Sequence, residues 1–279
     1  MDKCINKPMI IAHRGASSTA PENTLVSARR AFSAGADSWE FDIRIASEGE
    51  FVLLHDEKLT RTTDVKDIFP DRESYKVSDF SVPEIKKLDA GSWFSKSDPF
   101  GEIKRGNISQ EKLQNFVGEE IPTLREALKL TKELNFKAVI EIKGVKDFHF
   151  KDHLKPLISK IEELEMEKDI TISSFDHTLV KTIIEKNPSL RGSLLFKKPP
   201  DNPVNLIRES KAEVFSLLAS TLKTKKGVQT IRKVRKFSHR FDIIIWTVNK
   251  TQHLNKIALS PLIDGIITDY PARLKSIIG

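Results

Sequence analysis

Residues 9–45 read MIIAHRGASSTAPENTLVSARRAFSAGADSWEFDIRI, and their pattern decides the fold. The stretch opens on a short β-branched run, MIIAH, and closes on another, SWEFDIRI at 38–45. Between them Leu25, Ala28 and Phe32 recur at helical spacing, with Asn23 or Thr24 as N-cap and Gly35 as stop. Strand, helix and strand in this order predict two parallel strands joined by a right-handed crossover.

The unit repeats along the chain. Further runs are KAVIEIK (137–143), DITISSF (169–175), RGSLLF (191–196), AEVFSL (212–217), FDIIIWTV (241–248) and DGIITD (264–269). Helix-period segments such as PTLREALKLTKEL, HLKPLISKIEELEME and FDHTLVKTIIEK lie between them. Eight strands alternating with helices imply an α/β fold, a closed TIM (β/α)8 barrel, with an open doubly wound sheet as the alternative. The 279 residues suit a single barrel domain over 1–279. Residues 57–118 break the alternation, being polar and aromatic with few periodic runs. A structureless loop of that length is rare, so a small insertion subdomain is expected after the second strand, on the face where barrel enzymes carry their sites.

Composition excludes several classes. With 39% hydrophobic and 30% charged residues the chain can bury a core and is not of disordered type. One cysteine, Cys4, rules out an intrachain disulfide and a cysteine-based zinc cluster. The opening apolar run is too short for a signal h-region or a membrane span, which places the protein in the cytoplasm as an expectation. The net charge of +7 is uneven, since LKTKKGVQTIRKVRKFSHR at 222–240 has eight Lys or Arg and no acid. Val228, Ile231, Val234 and Phe237 make it an amphipathic helix. Its basic face is either simply solvated or drawn to an anionic membrane or substrate. A nucleic-acid partner is disfavoured because no aromatic residues interleave with the charges.

The chemistry lies at strand ends. Glu40 and Asp42, two apart on a strand, project from one face, and the spacing recurs at Glu141 and Lys143. Converging carboxylates are costly unless a cation joins them. If the hairpin after the second strand centres between Glu48 and Gly49, His55 falls opposite Asp42. His13 and Arg14 end the first strand beside them. Three carboxylates make a hard-oxygen site for Mg²⁺ or Ca²⁺, Arg14 and Lys143 suit phosphate oxygens, and two imidazoles can share acid and base roles near neutral pH.

These residues lie in motifs that occur in order as AHRGA, PENT, EFD, LLHD, LTRTT, LDAGSWF, IPTLREAL, EIK, SSF, WTVN and ITDYP, spanning residues 12–271. In this the chain resembles the glycerophosphodiester phosphodiesterases. The resemblance implies a barrel that hydrolyses glycerophosphodiesters, as small-molecule substrates, to sn-glycerol 3-phosphate and an alcohol. The step could run through a cyclic phosphate formed by the substrate's own hydroxyl. It implies His13 and His55 as the acid/base pair, Glu40, Asp42 and Glu141 as divalent-metal ligands, and Arg14 and Lys143 as phosphate binders. Glu22 and Asn23 of PENT would cap or hydrogen-bond. Trp246 would pack against the glycerol or line the pocket, unless it is barrel core. Asp269 is expected to be structural, capping the last helix, and Trp93 and Phe94 either wall the cleft or pack the insertion. A phospholipase D-like enzyme acting on lysophospholipid or sphingolipid headgroups is the same-fold alternative, and a non-enzymatic anion-binding barrel is the alternative of another class.

Overall fold

The computed structural model describes residues 7–144, 150–238 and 241–279; Cys4, His239 and Arg240 lie outside them. In chain order the elements begin β1 (Met9–His13), α1 (Leu25–Ser33), β2 (Ser38–Ile45) and β3 (Phe51–Leu53). Four short helices follow, α2 (Val65–Ile68), α3 (Val82–Ile85), α4 (Ser92–Ser97) and α5 (Gln110–Gln114). Then come α6 (Leu124–Glu133), β4 (Lys137–Ile142), α7 (Leu154–Glu162), β5 (Ile170–Ser174), α8 (His177–Lys186) and β6 (Arg191–Phe196). The chain ends with α9 (Pro203–Ser210), β7 (Val214–Leu218), α10 (Lys225–Phe237), β8 (Asp242–Trp246), α11 (Thr251–Ala258), β9 (Gly265–Thr268) and α12 (Pro271–Ile278).

Among the described residues eight parallel strands pair in the order β1-β9-β8-β7-β6-β5-β4-β2, and β1 pairs with β2 to close the barrel. Alternation along each strand separates two layers. Trp39, Phe41 and Ile43 of β2 and Ala138, Ile140 and Ile142 of β4 belong to the large core shared with the helices. Ile11, Val139, Val214, Ile244 and Ile267 form a separate cluster inside the barrel. Glu40, Asp42 and Glu141 have the parity of the interior; Glu40 pairs in register with Val139 of that cluster and Asp42 with Glu141, so the polar site borders an apolar interior.

Local chemistry sets the element ends. Thr24 rather than Asn23 caps α1, in a capping box with Ser27, and Thr123 does the same for α6 with Glu126. Each such cap is worth about 1 kcal/mol. β2 outruns β1, whose pairing stops at Glu40, and β3 takes the vacated edge antiparallel to Ile43–Ile45. The chain beyond β3 packs two further cores. One joins Leu59, Val65, Val77, Phe80 and Ile85 to Val52 and Leu54, and the other joins Phe94, Ile108, Leu113 and Phe116 to Ala20. α10 buries Ile231 and Val234 and exposes Lys225, Lys226, Arg232, Lys233 and Lys236. Among the described residues no helix is long and apolar enough to cross a membrane.

Candidate active site

After β1 the chain turns sharply. Arg14 takes a left-handed φ of 54°, a conformation that costs a side-chain-bearing residue about 1–3 kcal/mol. Its surroundings hold it there: its N–H donates to Glu40 Oε2 at 2.9 Å, and its carbonyl accepts from the Asn23 N–H at 3.0 Å. At Gly15, with φ 82°, a Cβ would lie 2.3 Å from Ser27 Oγ, so only glycine lets this loop lie against α1.

Glu40, Asp42 and Glu141 each present a carboxylate oxygen, and the three oxygens lie within 4.8 Å of one another. Asn23 fixes Asp42 from both sides, donating from Nδ2 to Oδ2 at 2.9 Å and accepting the Asp42 N–H at 3.1 Å. Arg14 Nε stands 3.3 Å from Asp42 Oδ2 and Lys143 Nζ 3.2 Å from Asp42 Oδ1. Lys143 also donates to Glu141 Oε1 at 2.5 Å. Among the described residues Glu40 Oε1 and Asp42 Oδ1 are buried and accept no hydrogen bond, Lys143 being off its direction at Asp42. Buried carboxylate oxygens without donors are what a hard cation site offers.

Burial pushes both neighbouring carboxylates up, but the charges around them carry the net shifts in opposite directions. Glu40 is pushed up to about 8 by burial and by Asp42. For Asp42 burial is outweighed by Arg14 and Lys143, which hold it well below the usual carboxylate range. A raised folded pKa destabilises the fold at every pH above the unfolded value, whereas a depressed one stabilises it there. In metal-free protein at pH 7, Glu40→Gln is therefore expected to raise stability by up to about 3 kcal/mol, and Asp42→Asn to lower it. Thermal melts in EDTA check both signs, and equal shifts would contradict the difference.

The histidines flank this cluster. Nδ1 of His13 lies 2.6 Å from Asp269 Oδ1, and an ionised carboxylate can only accept, so Nε2 is the position left for chemistry. Burial lowers the His13 pKa, but Asp269 and Glu40 outweigh it and raise it to about 9. His55 Nδ1 is 2.6 Å from Asp56 Oδ1, which leaves its Nε2 in the same way. Here burial prevails over Asp42 and Asp56, and the pKa is lowered.

The expected hairpin register is off by one. Ile43 pairs with Leu53, and the Leu54 N–H reaches the Asp42 carbonyl at 3.1 Å, so Leu54 and not His55 stands opposite Asp42. The cause is a three-residue loop, Ser47 to Gly49, closed between Ala46 and Glu50 at 2.8 Å, with Gly49 at φ 86°. His55 lies past the end of β3 and escapes the strand's alternation. Its carbonyl accepts from Arg44 Nε at 3.0 Å and Nη2 at 2.8 Å. The ring is still close enough for Asp42, Arg14 and Lys143 to act on its charge.

The model of the glycerophosphoryl diester phosphodiesterase family matches residues 13–273. The chain belongs to this family. It is thus a phosphoric diester hydrolase by kinship. A glycerophosphodiester phosphodiesterase of Caldanaerobacter subterraneus subsp. tengcongensis is 31% identical over 98% of both chains. One from Bacillus altitudinis is 27% identical over 95% of both. In fold the chain is similar to a phosphodiesterase of Oleispira antarctica solved in complex with the product sn-glycerol-3-phosphate (TM-score 0.75, 23% identity, 98% and 97% of the two chains). It is also similar to a glycerophosphodiester phosphodiesterase of Agrobacterium tumefaciens (TM-score 0.72, 23% identity, 96% and 99%).

Two residues that the structure brings to the candidate site are not evident from the motifs alone. Asp269 does not cap α12, which has no side-chain cap; it binds His13, Ser17 Oγ at 2.8 Å and Asn249 Nδ2. Barrel closure was the available signal, since pairing Ala12 with Thr268 sets the next residues, His13 and Asp269, side by side. Arg61, in a 3-10 turn at Leu59–Arg61, donates to Asp56 and to both oxygens of Glu22. Trp246 ends β8 with its ring 5.7 Å from Phe175, and among the described residues its buried Nε1 has no acceptor. A groove of about 530 Å³ beside it is lined by Glu141, Lys143, Ser174, Phe175 and His177. Phe94 is core, and Trp93 donates to the Ala90 carbonyl at 2.9 Å.

Proposed function

We propose that this enzyme hydrolyses glycerophosphodiesters to sn-glycerol 3-phosphate and an alcohol, with a divalent ion and two histidines. The observation that carries the reading is the convergence of three carboxylates within 4.8 Å, flanked by Arg14, Lys143, His13 and His55, at one barrel mouth. The sn-glycerol-3-phosphate held by the Oleispira antarctica protein supports the choice of product.

Glu40, Asp42 and Glu141 would hold Mg²⁺ or Ca²⁺, as their all-oxygen donor set and the two unbonded oxygens favour. When bound, the ion supplies positive charge against the phosphoryl oxygens. Arg14 and Lys143 bind and orient the phosphate, and Trp246 lines the pocket beside it. His55, kept neutral by burial, accepts at Nε2 the proton of the attacking hydroxyl, from water or from the substrate's own glycerol. His13, kept protonated by Asp269, gives the proton on its Nε2 to the departing alcohol oxygen. Two groups of one kind driven to opposite protonation states suit an acid and a base. Residues 57–118 act in this reading as an inserted subdomain of the single 1–279 domain, walling the mouth with their own two cores.

Product identification tests the reading. With Mg²⁺ or Ca²⁺, glycerophosphocholine and glycerophosphoethanolamine are expected to release sn-glycerol 3-phosphate. Turnover of lysophosphatidylcholine alone would favour the phospholipase D-like activity and overturn it.

A further inference from the structure

We propose that Arg61 is a positioning residue that aligns the proton-transfer group His55 and the phosphate-binding group Arg14 with a single guanidinium. The inference rests on the roles just proposed for those two residues. One edge of the guanidinium reaches Asp56, Nε donating to Oδ2 at 2.5 Å, while the other Asp56 oxygen lies 2.6 Å from His55 Nδ1. The remaining nitrogens form a fork on Glu22, at 2.9 and 2.7 Å, and Glu22 in turn accepts from Arg14 Nη1 at 2.8 Å. Arg14 then stands 3.3 Å from Asp42. The result is a continuous chain, His55, Asp56, Arg61, Glu22, Arg14, that spans the mouth from the end of β3 to the end of β1.

Only arginine fits the middle of this chain. Its planar fork can bind two carboxylates at once along two edges, which an ammonium on a flexible stem cannot do with the same direction. The turn that carries it is fixed from below. Leu59 is fully buried, its N–H donates to the Tyr75 carbonyl at 3.0 Å, and Thr63 Oγ1 returns to the Leu59 carbonyl at 2.7 Å. Trp93 lies 5.8 Å from the guanidinium carbon on its other flank. Residues 57–118 therefore do more than cover the mouth: they deliver one side chain on which both halves of the site depend. Arg61 touches neither His55 nor Arg14 and acts through Asp56 and Glu22.

Steady-state kinetics on glycerophosphocholine separates the two arms. Asp56→Asn is expected to lower kcat about tenfold with little change in KM, because it loosens the proton carrier. Glu22→Gln is expected to raise KM about tenfold with less change in kcat, because it loosens the phosphate clamp. Arg61→Ala should show both effects, Arg61→Lys should recover only part of them, and added guanidinium ion at low millimolar concentration should restore activity to Arg61→Ala but not to Arg61→Lys. Wild-type kcat and KM in a folded Arg61→Ala protein would overturn the inference, as would a uniform loss that guanidinium does not relieve. Failure of the parent reading looks different, since wild-type enzyme would then not turn the substrate over.

Discussion

His13→Ala is expected to reduce kcat/KM by about 10³-fold while leaving the barrel folded, since proton transfer by a positioned group is commonly worth 10²- to 10⁴-fold. The side chain ends β1, where its Nδ1 meets Asp269, and in the proposed reading its role is the proton on Nε2. Asp269→Asn should cost less, about 10- to 100-fold, because the imidazole stays in place but loses the carboxylate that keeps it charged. The same pair gives the metal-free protein a pH dependence of definite sign. The folded pKa of His13 is raised from 6.5 to about 9, so its stabilisation, up to about 3 kcal/mol, is complete below pH 6.5 and lost as pH rises towards 9. Glu40 acts in the same direction up to about pH 8. The melting temperature in EDTA should therefore fall between pH 6.5 and 9, and fall less in His13→Ala. An equal fall in both proteins would remove His13 from this account.

Periodicity in the sequence carried the barrel because each strand was short, apolar and bounded by a helix-period segment, with side-chain caps at Thr24, Thr123, Asp176 and Thr224. The carboxylates of β2 and β4 were legible for the same reason: a polar residue on an alternating apolar strand declares its face. What failed was anything set by a turn. His55 depends on whether the hairpin loop has two residues or three, and Gly49, which adopts the positive φ of the three-residue loop, shifts the register by one. Asp269 and Arg61 depend on contacts across 256 residues and 39 residues of chain, which no local pattern encodes. The segment 57–118 hides its order because its helices are four to six residues long, too short for a helical period to show. Its two small cores come instead from residues scattered along it, such as Leu59, Phe80, Phe94 and Phe116.

The second large effect concerns the carboxylate cluster. Without an ion, Glu40 and Asp42 lie buried beside each other, and Glu40 is driven to take up a proton. An ion removes that penalty, so Mg²⁺ or Ca²⁺ should raise the melting temperature of wild-type protein, and more so at low pH's upper neighbour, pH 7 to 8, than at pH 5 where protons compete. A Glu40→Ala, Asp42→Ala double variant loses two of the three proposed ligands, and should bind the ion too weakly to show that rise. It also strips Arg14 and Lys143 of their shared partner Asp42, so the milder Glu40→Gln, Asp42→Asn pair serves as the control that preserves shape.

The most direct measurement is sn-glycerol 3-phosphate release from glycerophosphocholine by EDTA-treated protein, before and after Mg²⁺ or Ca²⁺ is restored. Wild-type enzyme is expected to lose its activity on chelation and regain it with the ion, while both double variants stay about 10³-fold below the ion-restored wild type with or without the ion. Full activity in EDTA, or in a folded double variant, would contradict the account.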